Sequence, residues 1–170
     1  MFDIKGYKIL IFITFLLTMS SSVYSAEKST GPKSGGRDDF SYLKVKNSNL
    51  KKGHDALKQA EKYEKKGKTN KAEKRFEDAY KFFTLANKEF PNEPNILNYL
   101  GYTLKKTEDF IMAEIYYEQG LTIDPLHIDI NKNLGELYFE TNRIKKAKER
   151  LKVLKNCTCK AYQELKNLIK

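Results

Sequence analysis

The sequence predicts an all-α chain built from stacked helix pairs, and three observations predict it. Beyond about residue 47, apolar and small residues recur at i, i+3, i+4 and i+7, the stripe of one face of an α-helix. The stripes come in twos, parted by short polar breaks that contain helix-capping residue types. One pair is then followed, 34 residues on, by a near copy: Leu134-Gly135 follows Leu100-Gly101 and Ala147 follows Ala113. At 170 residues the chain has room for one modest domain once targeting segments are set aside.

The N-terminal residues predict such a segment. Lys5 and Lys8 form a basic start, residues 9–19 (ILIFITFLLTM) are an apolar run, and small polar residues follow. The run is shorter than the roughly 20 apolar residues a membrane span needs. It fits a secretory signal peptide over residues 1–25, with Val23 and Ser25 at the small-residue positions before a cut near Ala26. No Cys stands at the cut, so lipid attachment is not expected there. Export to a periplasm is the reading, with secretion or an uncleaved membrane anchor as alternatives. Residues 26–46 are expected to be a flexible tether, since 27–37 (EKSTGPKSGGR) are rich in Gly, Ser, Lys and Pro. Phe40, Tyr42, Leu43 and Val45 give its last part enough apolar character to dock as a short element.

The first pair is expected over residues 47–91. Ser48 is the expected cap, and Leu50, Ala56, Leu57, Ala60 and Tyr63 mark a helix that ends near Gly67. Ala72, Phe76, Ala79, Tyr80, Phe83 and Ala86 continue a second helix to Phe90, stopped by Pro91. That second helix is longer than expected of such a pair by about two turns; whole turns preserve the facing stripe, so the extension need not break packing, and a protruding end would be particular to this chain. The second pair covers 94–125. Leu97, Leu100, Gly101 and Leu104 stripe one helix; Phe110, Ala113, Tyr117, Gly120 and Leu121 stripe the other. Pro94 suits a first turn and Pro125 cannot continue a helix. The third pair covers 128–155, with Tyr138, Ile144, Leu151 and Leu154 filling further core positions and Asn142-Arg143 standing where Glu108-Asp109 stood. Residues 160–170 (KAYQELKNLIK) form one more amphipathic helix, suited to cover the exposed face of the last pair.

The central pair resembles a tetratricopeptide repeat, whose signature sets Leu-Gly, an aromatic, Ala, another aromatic and Pro at fixed offsets. Leu100-Gly101, Phe110, Ala113, Tyr117 and Pro125 match it in order. Leu97 replaces the first aromatic and Gly120 a later Ala. In the first pair the Leu-Gly doublet is absent, and after Lys155 the run Asn156-Cys157-Thr158-Cys159 replaces the usual Asp-Pro close. The resemblance implies a short right-handed αα-superhelix of about three helix pairs plus a C-terminal capping helix. Loss of a large core side chain such as Tyr117 would then cost about 3–5 kcal/mol.

The resemblance also implies a function. First helices in this family line a groove that binds an extended peptide or a partner helix. The inward positions here are Asn95, Asn98, Tyr102 and Lys105 in the central pair, and Asp129, Lys132, Glu136 and Phe139 in the last. His54, Leu57, Glu61 and Glu64 face in from the first. Asn pairs with peptide backbone, and Tyr and Phe offer flat contact at low entropy cost. The expectation is a non-enzymatic protein–protein interaction adaptor of the cell envelope, with a protein or peptide partner and no cofactor.

Two features suggest other classes. Cys157 and Cys159 are the only cysteines, and an exported chain meets an oxidising compartment. They read as a structural disulfide or two packed thiols, or else as a thiol–disulfide redox helper, though no thioredoxin-like βαβ pattern surrounds them. Lys145, Lys148, Lys152 and Lys155 recur at helical spacing in residues 144–155, with Lys146 and Arg150 alongside. They are a solvated face or a binder of anionic lipid or cell-wall polymer.

Composition argues against nucleic acid. Lys and Arg number 32 against 22 Asp and Glu, net +10, but only Arg37, Arg75, Arg143 and Arg150 are Arg, the residue that reads phosphates and bases bidentately. Catalysis has no support either. His54 and His127 are isolated without metal-ligand spacing, and no nucleophile elbow or Gly-rich phosphate loop is present.

Overall fold

The computed structural model describes residues 47–170; the expected signal peptide, the tether and the short element at 38–46 lie outside these residues. Seven helices follow one another with no strand among the described residues. They are α1 (Ser48–Glu64) and α2 (Thr69–Glu89), α3 (Pro94–Lys106) and α4 (Phe110–Ile123), α5 (Ile128–Glu140) and α6 (Ile144–Leu154), and a last helix, α7 (Lys160–Ile169). Each odd helix packs antiparallel against its successor as a hairpin, and α7 lies against both α5 and α6. This is the all-α array of three pairs and a capping helix that the periodicity predicts.

Helix starts are set by side chains that accept from otherwise unpaired backbone N–H groups. Asn47, not Ser48, caps α1: its Oδ1 accepts from the Leu50 N–H at 2.8 Å, and Ser48 is already helical. Asp109 caps α4 through the Met112 N–H at 3.2 Å. His127 caps α5 with its Nδ1, 3.3 Å from the Ile130 nitrogen. Pro94 opens α3, where a missing N–H costs nothing.

The three hairpin turns are one turn used three times. Gly67, Glu108 and Asn142 all take left-handed backbone, with φ of 65°, 63° and 59°. The residue after each donates to the carbonyl five residues back: Lys68 to Tyr63 and Asp109 to Leu104 at 2.9 Å, and Arg143 to Tyr138 at 2.6 Å. These bonds satisfy the last carbonyls of the first helix and reverse the chain in a closed, repeatable way.

Packing follows the small-against-large pattern. A Cβ on Gly101 would lie 2.6 Å from the Tyr117 ring, so only glycine lets α3 approach α4 over that ring, and Tyr117 is fully buried. Leu100, Leu104, Ala113, Leu134, Tyr138 and Ala147 complete the same layer or the next. Ala161 and Leu165 of α7 cover Leu154, closing the end of the stack.

The first pair departs from the others in length, and the departure is built in. α2 has 21 residues against 14 in α4, the expected extra two turns, but α1 is also longer, at 17 residues against 13 in α3. The end of α2 therefore does not protrude. Glu89 accepts from Asn47 Nδ2 at 2.9 Å and from Asn49 Nδ2 at 2.7 Å, tying the last turn of α2 to the first turn of α1. Within the extension the glycine–aromatic contact recurs: a Cβ on Gly53 would meet the buried Phe83 ring at 2.6 Å. Phe83 stacks on Tyr99 of α3 at 4.9 Å, and His54 sets its edge against both rings.

Candidate functional site

Helices α3, α5 and α7 form a continuous face, because α3 packs directly on α5 and α5 on α7. The repeat pattern puts Asn95, Asn98, Tyr102, Lys105, Lys132, Glu136 and Phe139 at inward positions of α3 and α5; in the structure Asn98 and Lys105 are buried between helices and the other five are partly exposed. What the pattern does not imply is how far these side chains bond to one another.

Rungs of polar contact cross from helix to helix. The Tyr102 hydroxyl donates to Glu61 at 3.4 Å and Lys106 reaches Glu64 at 2.6 Å, joining α1 to α3. Lys105 Nζ lies 2.8 Å from Glu136 and 3.4 Å from Glu140, joining α3 to α5. Asn133 donates its amide to Asn98 Oδ1 at 2.9 Å, a second α3–α5 rung in the buried seam. Asn95 Oδ1 meets His127 Nε2 at 3.3 Å. Lys132 bridges Glu136 at 3.5 Å and Glu164 at 3.4 Å, joining α5 to α7.

These contacts sort the expected groove residues into two groups. Asn98 and Lys105, 6% and 8% exposed, are walled in: their polar atoms hold neighbouring helices together. A lysine this buried is tolerable only when its ammonium is paired, as it is here. Asn95, Tyr102, Lys132, Glu136 and Phe139 remain partly open along the face. Of the residues expected to face in from the first pair, His54 and Leu57 are buried, Glu61 is half-buried and Glu64 exposed. Asp129 is exposed at the start of α5.

Electrostatics follow from this crowding. Burial and then the Glu61 and Glu64 carboxylates push the Tyr102 hydroxyl well above its usual range, so it stays protonated and donates. Tyr99 is pushed up to about 12 by burial and by Asp129. Burial would lower Lys132, but Glu136 and Glu164 outweigh it and the ammonium is held charged beyond the usual range. On the other side of the stack, burial pushes Glu114 up, yet Arg143 at 2.6 Å and Tyr138 bring it down overall.

At one end of the face, the turn of the first pair and the turn of the second enclose a cleft of about 280 Å³. Glu64, Glu73 and Glu108 line it over a floor of Ala72 and Phe76, and Lys106 stands in it 5.7 Å above the Phe76 ring. Among the described residues there is no group of three or more side chains placed to hold a metal ion.

Sequence reasoning missed Asn131, Asn133, Glu140 and Glu164 as partners in the face. Asn131 is fully buried; its amide donates to the Pro125 and His127 carbonyls at 3.0 Å each, fastening the loop into α5. The fixed capping role of an Asn six residues after Pro125 leaves no periodic signal. Asn98 and Asn133 are 35 residues apart, one off the repeat, so the pairing is invisible in the period.

Cys157 and Cys159 are disulfide-bonded within the turn between α6 and α7. Both are half-buried against the core cluster of Leu154, Ala161 and Leu165. No described helix is long and apolar enough to cross a membrane.

Comparison with known proteins agrees with the repeat pattern where it is strongest. Residues 95–125 match the family model of the tetratricopeptide repeat. A protein of Guillardia theta, described as uncharacterized protein ycf37, is 36% identical over 55 residues, which are 32% of this chain and 31% of that protein. The chain thus spans about a third of the length of the curated relative it matches. Among solved structures, the Arabidopsis OM64 TPR domain aligns at 15% identity with a TM-score of 0.46, covering 71% of this chain and 96% of that domain.

Proposed function

We propose that this chain, a tetratricopeptide-repeat protein, is a non-enzymatic adaptor of the cell envelope that seats an extended peptide or a partner helix along its first helices. Tetratricopeptide repeats are protein-interaction modules. One observation carries the finer reading: Tyr102, Lys132, Glu136 and Phe139 lie partly open on one face whose framework is already bonded through Lys105 and Asn98. A surface held in shape before its partner arrives loses less freedom on binding. The partly open residues mix aromatic, cationic and anionic character, which suits a peptide with both backbone and side-chain handles.

The test is crosslinking in intact cells with a photoreactive residue placed at Tyr102 or Phe139, and at Lys81 on the exposed side of α2 as control. A defined adduct at the first two positions and none at Lys81 is expected. Equal capture at all three, or none at Tyr102 and Phe139, removes the groove reading.

The disulfide supports a second reading, a thiol–disulfide exchange helper, because Cys157 and Cys159 are not fully enclosed. A reduction potential in the range of ordinary structural disulfides, below about −300 mV, would remove it.

A further inference from the structure

We infer that the outer surface formed by α4 and α6 docks the chain onto an anionic lipid bilayer. This rests on the outer helices alone and is independent of the groove. On α6 and its C-cap, Lys145, Lys148, Lys152 and Lys155 are all exposed and take part in no ion pair among the described residues, and Glu149 is the helix's one acid. Their spacing puts them on one stripe, away from the buried Ala147 and Leu154.

The neighbouring outer helix supplies the apolar half. α4 is apolar on the side that faces the core and again on the side that faces out. Ile111, Ile115 and Met112 are 76%, 40% and 36% exposed. Exposed Glu118, Gln119 and Thr122 share this side, so the apolar part is a short aliphatic patch set among polar residues, and exposed aliphatic side chains in a cluster ask for a cover. Glu114 ties α4 to the start of α6 through Arg143 at 2.6 Å and Lys146 at 3.6 Å, and on each helix the exposed residues, aliphatic on one and lysine on the other, lie opposite its own buried residues.

The charge and the residue type choose the occupant. A second copy would bring like charge against like charge, since the chain carries +10. The four unpaired cations are lysines, which act as mobile point charges rather than the planar forks that grip a single phosphate or carboxylate. Lysines beside exposed aliphatic side chains match a surface of anionic headgroups over hydrocarbon.

The experiment is vesicle co-sedimentation of the full chain, with phosphatidylglycerol–phosphatidylcholine and pure phosphatidylcholine vesicles. The neutral vesicles report any apolar contribution of residues 9–19, and the part of the difference that the four substitutions remove reports the lysines of the stripe. Binding to anionic vesicles should exceed binding to neutral ones, and K145Q/K148Q/K152Q/K155Q should cut that excess sharply, by roughly fivefold per lysine. I111S/I115S, whose positions are exposed and whose fold is checked by circular dichroism, should weaken anionic binding by about tenfold. An excess unchanged in the lysine variant overturns the proposal. So does capture of a polyglutamate peptide with no preference for anionic vesicles, which would assign the stripe to an acidic protein.

Discussion

Lys105 Nζ stands 2.8 Å from Glu136 Oε2, so a lysine on α3 and a glutamate on α5, 31 residues apart, hold two helix pairs in register. The ammonium is almost fully enclosed, with side-chain exposure of 6%, while Glu136 keeps 21%. Such a pair contributes less by its presence than it costs when halved, because the remaining charge loses its partner. Glu140, 3.4 Å from the same ammonium, offsets part of that loss, so Glu136→Gln is expected to destabilise the chain by about 1–2 kcal/mol in urea titration. Lys105→Met should cost less, since methionine fills the same volume without a charge. Equal losses would mean that the pair acts by attraction alone.

Gly101 is expected to tolerate no side chain. Gly101→Ala drives a methyl into the Tyr117 ring and should cost about 1–3 kcal/mol. Tyr117→Leu costs on its own account, but combining the two should cost less than the sum, because the smaller side chain vacates the space. Additive losses in denaturant melts would show that the two residues do not meet.

Glu108 holds a left-handed backbone that non-glycine residues adopt at a cost of roughly 1–2 kcal/mol. Gly67 occupies the same place in the first turn without that strain. Glu108→Gly is expected to stabilise the chain by about 0.5–1 kcal/mol, the relief of strain being partly offset by the greater freedom of glycine in the unfolded chain. A drop in thermal midpoint would contradict the shared-turn reading.

His127 gives the stack a pH limit. Its Nδ1 accepts from Ile130 and its Nε2 faces Asn95, so it serves as a cap only while neutral. Burial lowers its pKa below 6.5, against the opposing pull of Asp124, Asp129 and Glu93. With the folded pKa below the unfolded one, the unfolded chain binds the extra proton first. Stability is then full above pH 6.5 and falls as pH drops toward the folded value. NMR titration should place His127 below 6.5, and His127→Asn, a good cap without a titrating group, should remove this part of the pH dependence. An unchanged slope in that variant would assign the effect elsewhere.

Much of the fold was legible because its cause is local. Leu100, Gly101, Ala113 and Tyr117 repeat in sequence what they do in space, and Gly67, Glu108-Asp109 and Asn142-Arg143 mark the three turns. The cap of α1 moved from Ser48 to Asn47, a one-residue error that periodicity cannot resolve, since both types can cap. The extension of the first pair was visible as length but not as structure. The bonds of Asn47 and Asn49 to Glu89 span 40 residues or more, and no pattern along the chain announces them.

The interaction face was half legible for a related reason. A polar residue on a helix stripe reads as solvent-facing, so Asn98 and Lys105 were expected to meet a ligand, whereas they meet Asn133 and Glu136. Position on a helix tells which way a side chain points; it does not tell what arrives from another helix to meet it. Asn131 and Ile130, both fully buried, show the same gap at the junction between pairs.

The rungs through Glu61, Glu64 and Glu136 lie between first helices and that through Glu164 reaches the capping helix, whereas among the described residues the ion pairs joining α4 to α6 all run through Glu114. A stack fastened along one edge is stiff there and compliant opposite. Pulled from its ends, it would open its outer side first and absorb extension as a change of curvature, keeping the order of its pairs until the fastened edge gave way.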